Sequence, residues 1–331
     1  MTVTDNDAKG TKAGSLGPLG LPKALIATAP RLYPEPGTKR VKDKVKYVLR
    51  GLATPRLTRE WFQLLHQPGL GALVQSNPRM LSKLQRPYLH RGLRPSQRLQ
   101  VLKEHYAFVR EKISADVLPK IYSLSGVPLA RISLGEIGEF TLRLCYQDRF
   151  EKEGELTVAL AGASTQEFIF AMSFTVWTFG QEPPEIFIGG LQGFKQSTKM
   201  DEVVAITRAM YGLRPKALLL FAVQQLATLW DIHRIRAVSN ERSVFSDFRL
   251  KHKNVVSSYD EFWRDSQGEL GADGLFTLPA TFVPRDIAEI KPNKRTLYKR
   301  RYAMLEEIGG QIRQNTLRLS KASSAEPVTA H

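Results

Sequence analysis

The apolar and polar positions of the 331-residue chain change their period twice. Residues 1–36 hold no sustained period. Pro18, Pro22, Pro30, Pro34 and Pro36 punctuate them, which excludes a long helix and predicts a flexible leader. A helical period runs over 39–52 and again over 59–65, where Thr58 stands as a cap. Asn77-Pro78 and Arg86-Pro87 interrupt the next stretch. Pro95-Ser96 then opens a helix expected to reach residue 118. Within it Leu99, Leu102, Tyr106 and Val109 form one apolar stripe, with Arg98, Lys103 and Arg110 off it.

Near residue 129 the period shortens. Runs at 129–134, 140–146, 155–161 and 168–178 alternate or are wholly apolar, and they read as a meander of strands. A further strand at 185–188 stops at Gly189-Gly190. Helices follow at 200–211 and 215–230, with Pro215 in a first turn, where helices accept it. A strand at 235–238, a helix at 243–251, a strand at 274–279 and a helix at 294–312 complete the pattern. The fold class is α/β (α+β): a basic helical N-terminal region, a mixed β-sheet flanked by helices, and a long basic C-terminal helix. The corresponding organisation is a leader at 1–36, a basic helical region at 37–128 and an α/β core at 129–290. The basic helix at 291–318 and a disordered tail at 319–331 follow.

Charge sharpens this division. The chain carries 48 Lys+Arg against 32 Asp+Glu, a net +16. Residues 37–59, 61–103 and 291–321 each carry +7, so everything else is net acidic at −5. Anionic membrane, nucleic acid and an anionic small molecule are the partners such blocks could serve. No zinc-finger spacing or RNP-like aromatic strand is present to read bases. The single Cys145 excludes an intrachain disulfide framework and any cysteine-cluster metal site. No secretory signal is visible at the start, and no apolar run approaches the roughly 18 residues a spanning helix needs. A cytoplasmic protein, soluble or peripheral on the inner membrane, is the expectation.

Candidate chemistry is sparse. The six histidines show no HExxH or other paired spacing, and His105, His233 and His252 read as core or surface residues. There is no GxSxG elbow and no Walker A sequence. Gly189, Gly190, Gln192 and Gly193 admit two readings, a ligand loop and a tight turn that ends a buried strand. Glu151, Glu153 and Glu155 flank a strand start and are expected to face solvent. Phe262 and Trp263 beside Tyr259 and Asp260 read as core aromatics, and Tyr88 as a packed residue at a helix boundary.

Several phrases resemble one family. They are NPRMLSKLQRPYL at 77–89, REKISA at 110–115, EGELTVAL at 153–160 and IGGLQG at 188–193. TRAMYGLRPKALLLFAVQQLA at 207–227, RAVSN at 236–240, YDEFW at 259–263 and KRRYAMLEEI at 299–308 add to them. Together they are similar to the VirK/YbjX family of bacterial proteins, a domain of unknown function, over about residues 45–315. The resemblance implies links to virulence, stress response and envelope resistance to cationic antimicrobial peptides, and it supplies no accepted reaction.

The passage from 185 to 240 also resembles the core of the GNAT acyl-CoA N-acyltransferases. That likeness implies an acyl-CoA held between two diverging strands. Gly189, Gly190, Gln192 and Gly193 would then lie on the splayed strand, and Gly212, Arg214 and Lys216 at the phosphate-facing helix start. Asn240 would end the next strand. The departures are an extra helix between Gly193 and Gly212, and Asp247 followed by Phe248 where such enzymes place a tyrosine acid, so the proton donor is unassigned. Three roles remain open: an acyltransferase-like enzyme acting on an envelope component, a non-catalytic adaptor on anionic membrane, and a nucleic-acid-binding stress protein.

Overall fold

A computed structural model of the chain describes residues 20–67, 69–123, 125–164, 167–178, 183–193, 200–246 and 258–320. Two compact units divide it, Met1–Gln85 and Arg86–His331.

The first unit is helical. Helix α1 (Gly20–Leu32) forms inside the stretch expected to be a flexible leader. Pro22 sits in its first turn, where a missing N–H costs little; Pro30 gives up one helical hydrogen bond near the end, and Leu21, Leu25, Ala29 and Leu32 supply the buried stripe that holds the helix. Helix α2 (Thr38–Ala53) packs on α1. Gly51 makes the approach close, since a Cβ there would stand 2.7 Å from Leu25 Cδ2, and Tyr47 Oη lies 3.0 Å from Thr28 Oγ1. Helix α3 (Pro55–Leu65) starts earlier than the sequence suggests, at Pro55. Thr58 is therefore not a cap: it lies inside the helix and donates to Gly51 O and Thr54 O. Helix α4 (Gly71–Ser76) and a 3₁₀ segment (Pro78–Gln85) close the unit around Trp61, whose Nε1 donates to Met80 O at 3.0 Å.

The second unit is built on one eight-stranded sheet. Helix α5 (Pro95–Lys112) ends six residues before the expected 118, and α6 (Leu118–Ile121) is a separate turn. The strands are β1 (Val127–Ser133), β2 (Glu139–Cys145), β3 (Leu156–Gly162), β4 (Phe168–Trp177), β5 (Glu185–Gly193), β6 (Ile235–Val238), β7 (Glu269–Leu270) and β8 (Leu275–Leu278), in the order β1-β2-β3-β4-β5-β6-β8-β7. Every neighbouring pair is antiparallel except β5 and β6, which run parallel. A parallel pair needs a crossover, and α7 (Met200–Ala209) with α8 (Pro215–Leu229) provides it.

Helix α8 is apolar on nearly every side because it is covered twice, by β3 and β4 below and by α10 (Pro292–Leu319) above. Between them in sequence lies α9 (Tyr259–Asp265). The exposed edge of β1 is satisfied by α10: Gln311 bonds both Arg131 N and Arg131 O, and Asn315 Nδ2 donates to Leu129 O. Ser320, expected to lie in a disordered tail, bridges to Ile113. No described helix is long and apolar enough to cross a membrane.

Candidate functional site

The parallel pairing of β5 and β6 is short. It covers Ile186, Ile188 and Phe187 against Ile235, Ala237 and Arg236, and then stops. Strand β5 does not stop with it: it runs through Gly189-Gly190 to Gly193, still paired on its other side with β4. The glycine pair therefore neither ends a strand nor forms an open loop. It carries a bulge opposite Ser173 and Phe174, and it lies beneath the segment 151–155. A Cβ at Gly189 would overlap Glu153 O, and one at Gly190 would overlap the Glu153 carboxyl group. Glycine is required there by proximity.

Past the point of separation, the freed edge of β5 meets α9. Leu191 N donates to Tyr259 Oη at 3.3 Å, and Gln192 Nε2 reaches both Glu153 Oε1 at 2.6 Å and Tyr259 Oη at 3.2 Å. Asn240, two residues beyond β6, fixes the start of α9. Its Oδ1 accepts from Tyr259 N at 3.0 Å, its Nδ2 donates to Ser258 Oγ at 2.9 Å, and its own N–H donates to Asp260 Oδ1 at 2.8 Å. Ser258 is the N-cap, accepting from Glu261 N. Of the sequence-derived candidates, Gln192 and Asn240 thus meet at Tyr259, while Gly189 and Gly190 lie against Glu153 and Gly193 against the Phe170 ring. Phe262 and Trp263 are buried, as expected of them.

Arg214 and Lys216 meet α9 further along, and Gly212 lies beside Arg301 and Leu297 of α10. Arg214 pairs with Asp265 at 3.5 Å, both exposed, and Lys216 Nζ stands 4.6 Å from the centre of the Phe262 ring. Burial, followed by the Arg214 charge, holds the Lys216 amine below its ordinary pKa. Gly212 has φ +77, and Arg301 occupies the space a Cβ would take while donating to Tyr211 O at 2.7 Å. One seven-residue helix, about 10 Å long, therefore stands between Gln192 and Asn240 on one side and Arg214 and Lys216 on the other. Asp247, Phe248 and His252 lie outside the described residues.

The segment 151–155 is the feature that sequence reasoning misplaced. Glu151, Glu153 and Glu155 do not face solvent; all three are buried. Gly154 lets the chain lie on β4, since a Cβ there would stand 2.6 Å from Phe174 N. Glu155 N donates to Phe174 O and Thr175 Oγ1, and Tyr106 Oη donates to Glu155 Oε2 at 2.6 Å. Arg86 pairs with Glu151 at 2.5 Å. Four buried tyrosines, Tyr88, Tyr106, Tyr122 and Tyr146, feel the Glu155 charge, and burial first and that charge second hold their hydroxyls protonated far above the usual range. His105 completes the cluster. Its Nδ1 accepts from Val176 N, which assigns the hydrogen to Nε2, 2.9 Å from Tyr122 Oη. The alternate spacing of the acids was no guide, because the chain turns at 151–153, where Glu151 N donates to Asp148 O and Glu153 N to Phe150 O. Among the described residues, no three His, Cys, Asp or Glu are grouped to hold a metal ion.

Comparison with known proteins places this geometry in a family. The chain is 36% identical over 271 residues to a protein of Escherichia coli (strain K12) described as uncharacterized protein YbjX, covering 81% of each chain. It is 24% identical over 286 residues to an uncharacterized protein of Haemophilus influenzae, covering 86% of this chain and 92% of that one. It is also 24% identical over 204 residues to a Mannheimia haemolytica protein named membrane protein LapB, covering 61% of this chain and 85% of the relative. The family described as "Protein of unknown function (DUF535)" matches residues 36–314. With that match and the YbjX relationship spanning most of the folded chain, the protein belongs to the DUF535 family, the VirK/YbjX family of its sequence phrases.

Proposed function

We propose that the protein binds an acyl-coenzyme A where β5 and β6 part, and that it is an acyltransferase of the GNAT type acting on an envelope component. The observation that carries this reading is the early end of the parallel pairing. Beyond Ile188, β5 keeps an extended edge that no strand among the described residues covers, and Leu191 N on that edge meets a tyrosine hydroxyl instead. An arm rich in amides, such as pantetheine, pairs with a strand edge of this kind. The position is also a switch point, where antiparallel order gives way to a parallel pair and its crossover, and ligands of open sheets gather at such points. Helix α8 begins on the same side, since Arg214 and Lys216 meet α9, and these two cations supply the phosphate end.

Tyr259 fills the role that sequence reasoning left unassigned. In acyl transfer an amine or hydroxyl of the substrate adds to the thioester carbonyl and the C–S bond breaks; the Tyr259 hydroxyl protonates the departing thiolate, and the proton that the nucleophile loses returns Tyr259 to its hydroxyl form. The three basic blocks and a relative named as a membrane protein support a substrate at the envelope, reached from the cytoplasmic face. A substrate there fits the resistance to cationic antimicrobial peptides that the family resemblance implies.

A second reading, a non-catalytic adaptor, is favoured by one observation: the Glu153 carboxyl group closes the face of β5 over Gly190. Thermal melts with coenzyme A, acetyl-coenzyme A and a long-chain acyl-coenzyme A separate the two. Ligand at 100 times its Kd adds about 2.7 kcal/mol and raises the Tm. Arg214→Ala should remove much of that rise without lowering the Tm of the unliganded protein, because its ion pair is exposed. Tyr259→Phe should keep the rise while slowing thiol release at least tenfold. No shift with any of the three compounds at millimolar concentration would leave the adaptor.

A further inference from the structure

Helix α2 presents two unlike faces. Its inner face is pinned to α1 by Tyr47 and Gly51. Its outer face carries Val41, Val45, Leu49 and Leu52, spaced i, i+4, i+8 and i+11, and these side chains are 58%, 52%, 61% and 39% exposed. That is one continuous apolar stripe about three turns long. A second row, Lys39, Lys42, Lys46 and Arg50, runs beside it and is exposed throughout. The helix holds six cations and one acid, Asp43, which is paired with Arg40.

We infer that the outer face of α2 is an in-plane docking surface for anionic phospholipid. The two rows answer the two parts of such a surface. Valine and leucine side chains enter the boundary between head groups and acyl chains, and lysines alongside meet the phosphates. Neither row alone would select a bilayer. Nucleic acid would use the cations and leave the apolar stripe in water, and a second copy of this chain would bring six like charges against six. Each cation near an anionic leaflet strengthens binding about fivefold, so the row of four makes attachment strongly dependent on lipid charge and on salt.

The test uses the full chain, sedimented with vesicles of phosphatidylcholine alone or mixed three to one with phosphatidylglycerol. Binding is expected only with phosphatidylglycerol and should weaken as salt rises. The double variant Val45→Asp/Leu49→Asp should reduce partitioning at least tenfold with an unchanged thermal melt, since both side chains are more than half exposed. Lys42→Glu/Lys46→Glu should weaken binding and flatten its salt dependence, whereas Lys299→Glu/Arg300→Glu, equally exposed on α10, should leave it intact. The inference is overturned if the full chain ignores charged vesicles or if the Asp variant binds as well as the parent. It is also overturned if the stripe instead mediates a dimer that Leu49→Asp dissociates.

Discussion

Helix α2 and the segment 151–155 both reverse the usual placement of polarity, in opposite directions. On α2, four branched apolar side chains meet water; at 151–155, three carboxylates leave it. The internal reversal is closed by partners of its own unit: Arg86 on Glu151, Gln192 on Glu153 and Tyr106 on Glu155. Buried charge is tolerable only with such partners, so this segment holds β4, β5 and α5 in register and aims Gln192 at Tyr259. Among the described residues, the external reversal has no such closure. Polar burial partnered within its own unit speaks of internal architecture, and apolar exposure in an ordered row speaks of something outside the chain.

Three substitutions test that contrast, in decreasing order of effect. Gly189→Val sets a branched side chain against the Glu153 backbone at the centre of the closed region, and about 3 kcal/mol or more of stability should be lost in urea unfolding. A loss below 1 kcal/mol would mean the segment 151–155 moves aside easily and does not organise the sheet. Tyr106→Phe keeps the ring and removes the hydroxyl that donates to Glu155 and meets Tyr122, at an expected cost of about 2 kcal/mol by the same measurement. A neutral result would show that Glu155 is served as well by other groups. Leu49→Ser should change stability by no more than about 0.5 kcal/mol. A larger loss would place Leu49 inside the fold and abolish the contrast.

Most of the secondary structure is legible in the chain, because a local period needs only neighbours within a turn or a strand. The β6 span 235–238 and the buried stripe of Leu99, Leu102, Tyr106 and Val109 follow directly from that period. The misreadings share one physical cause. Gly189-Gly190 looks like a stop, yet the missing Cβ answers to Glu153, far away in sequence. Thr58 looks like a cap, yet Pro55 already occupies the first turn and Gly51 O takes its hydroxyl. Tyr259 is buried beside Phe262 and Trp263, and what no local pattern shows is that its hydroxyl meets Leu191 N where β5 has parted from β6.

The sequence by itself therefore determined the α/β class, the basic flanks, the helical face of α2 and the residues eligible for a site. It could do so because period, charge and composition are local quantities. The tertiary structure alone decided that Glu151, Glu153 and Glu155 lie inside. Their partners Arg86 and Tyr106 stand 65 and 49 residues away from Glu151 and Glu155, and no local pattern encodes a contact across that distance. It also decided that Gln192 and Asn240 meet at Tyr259, because only the folded sheet carries the ends of β5 and β6 to the start of α9.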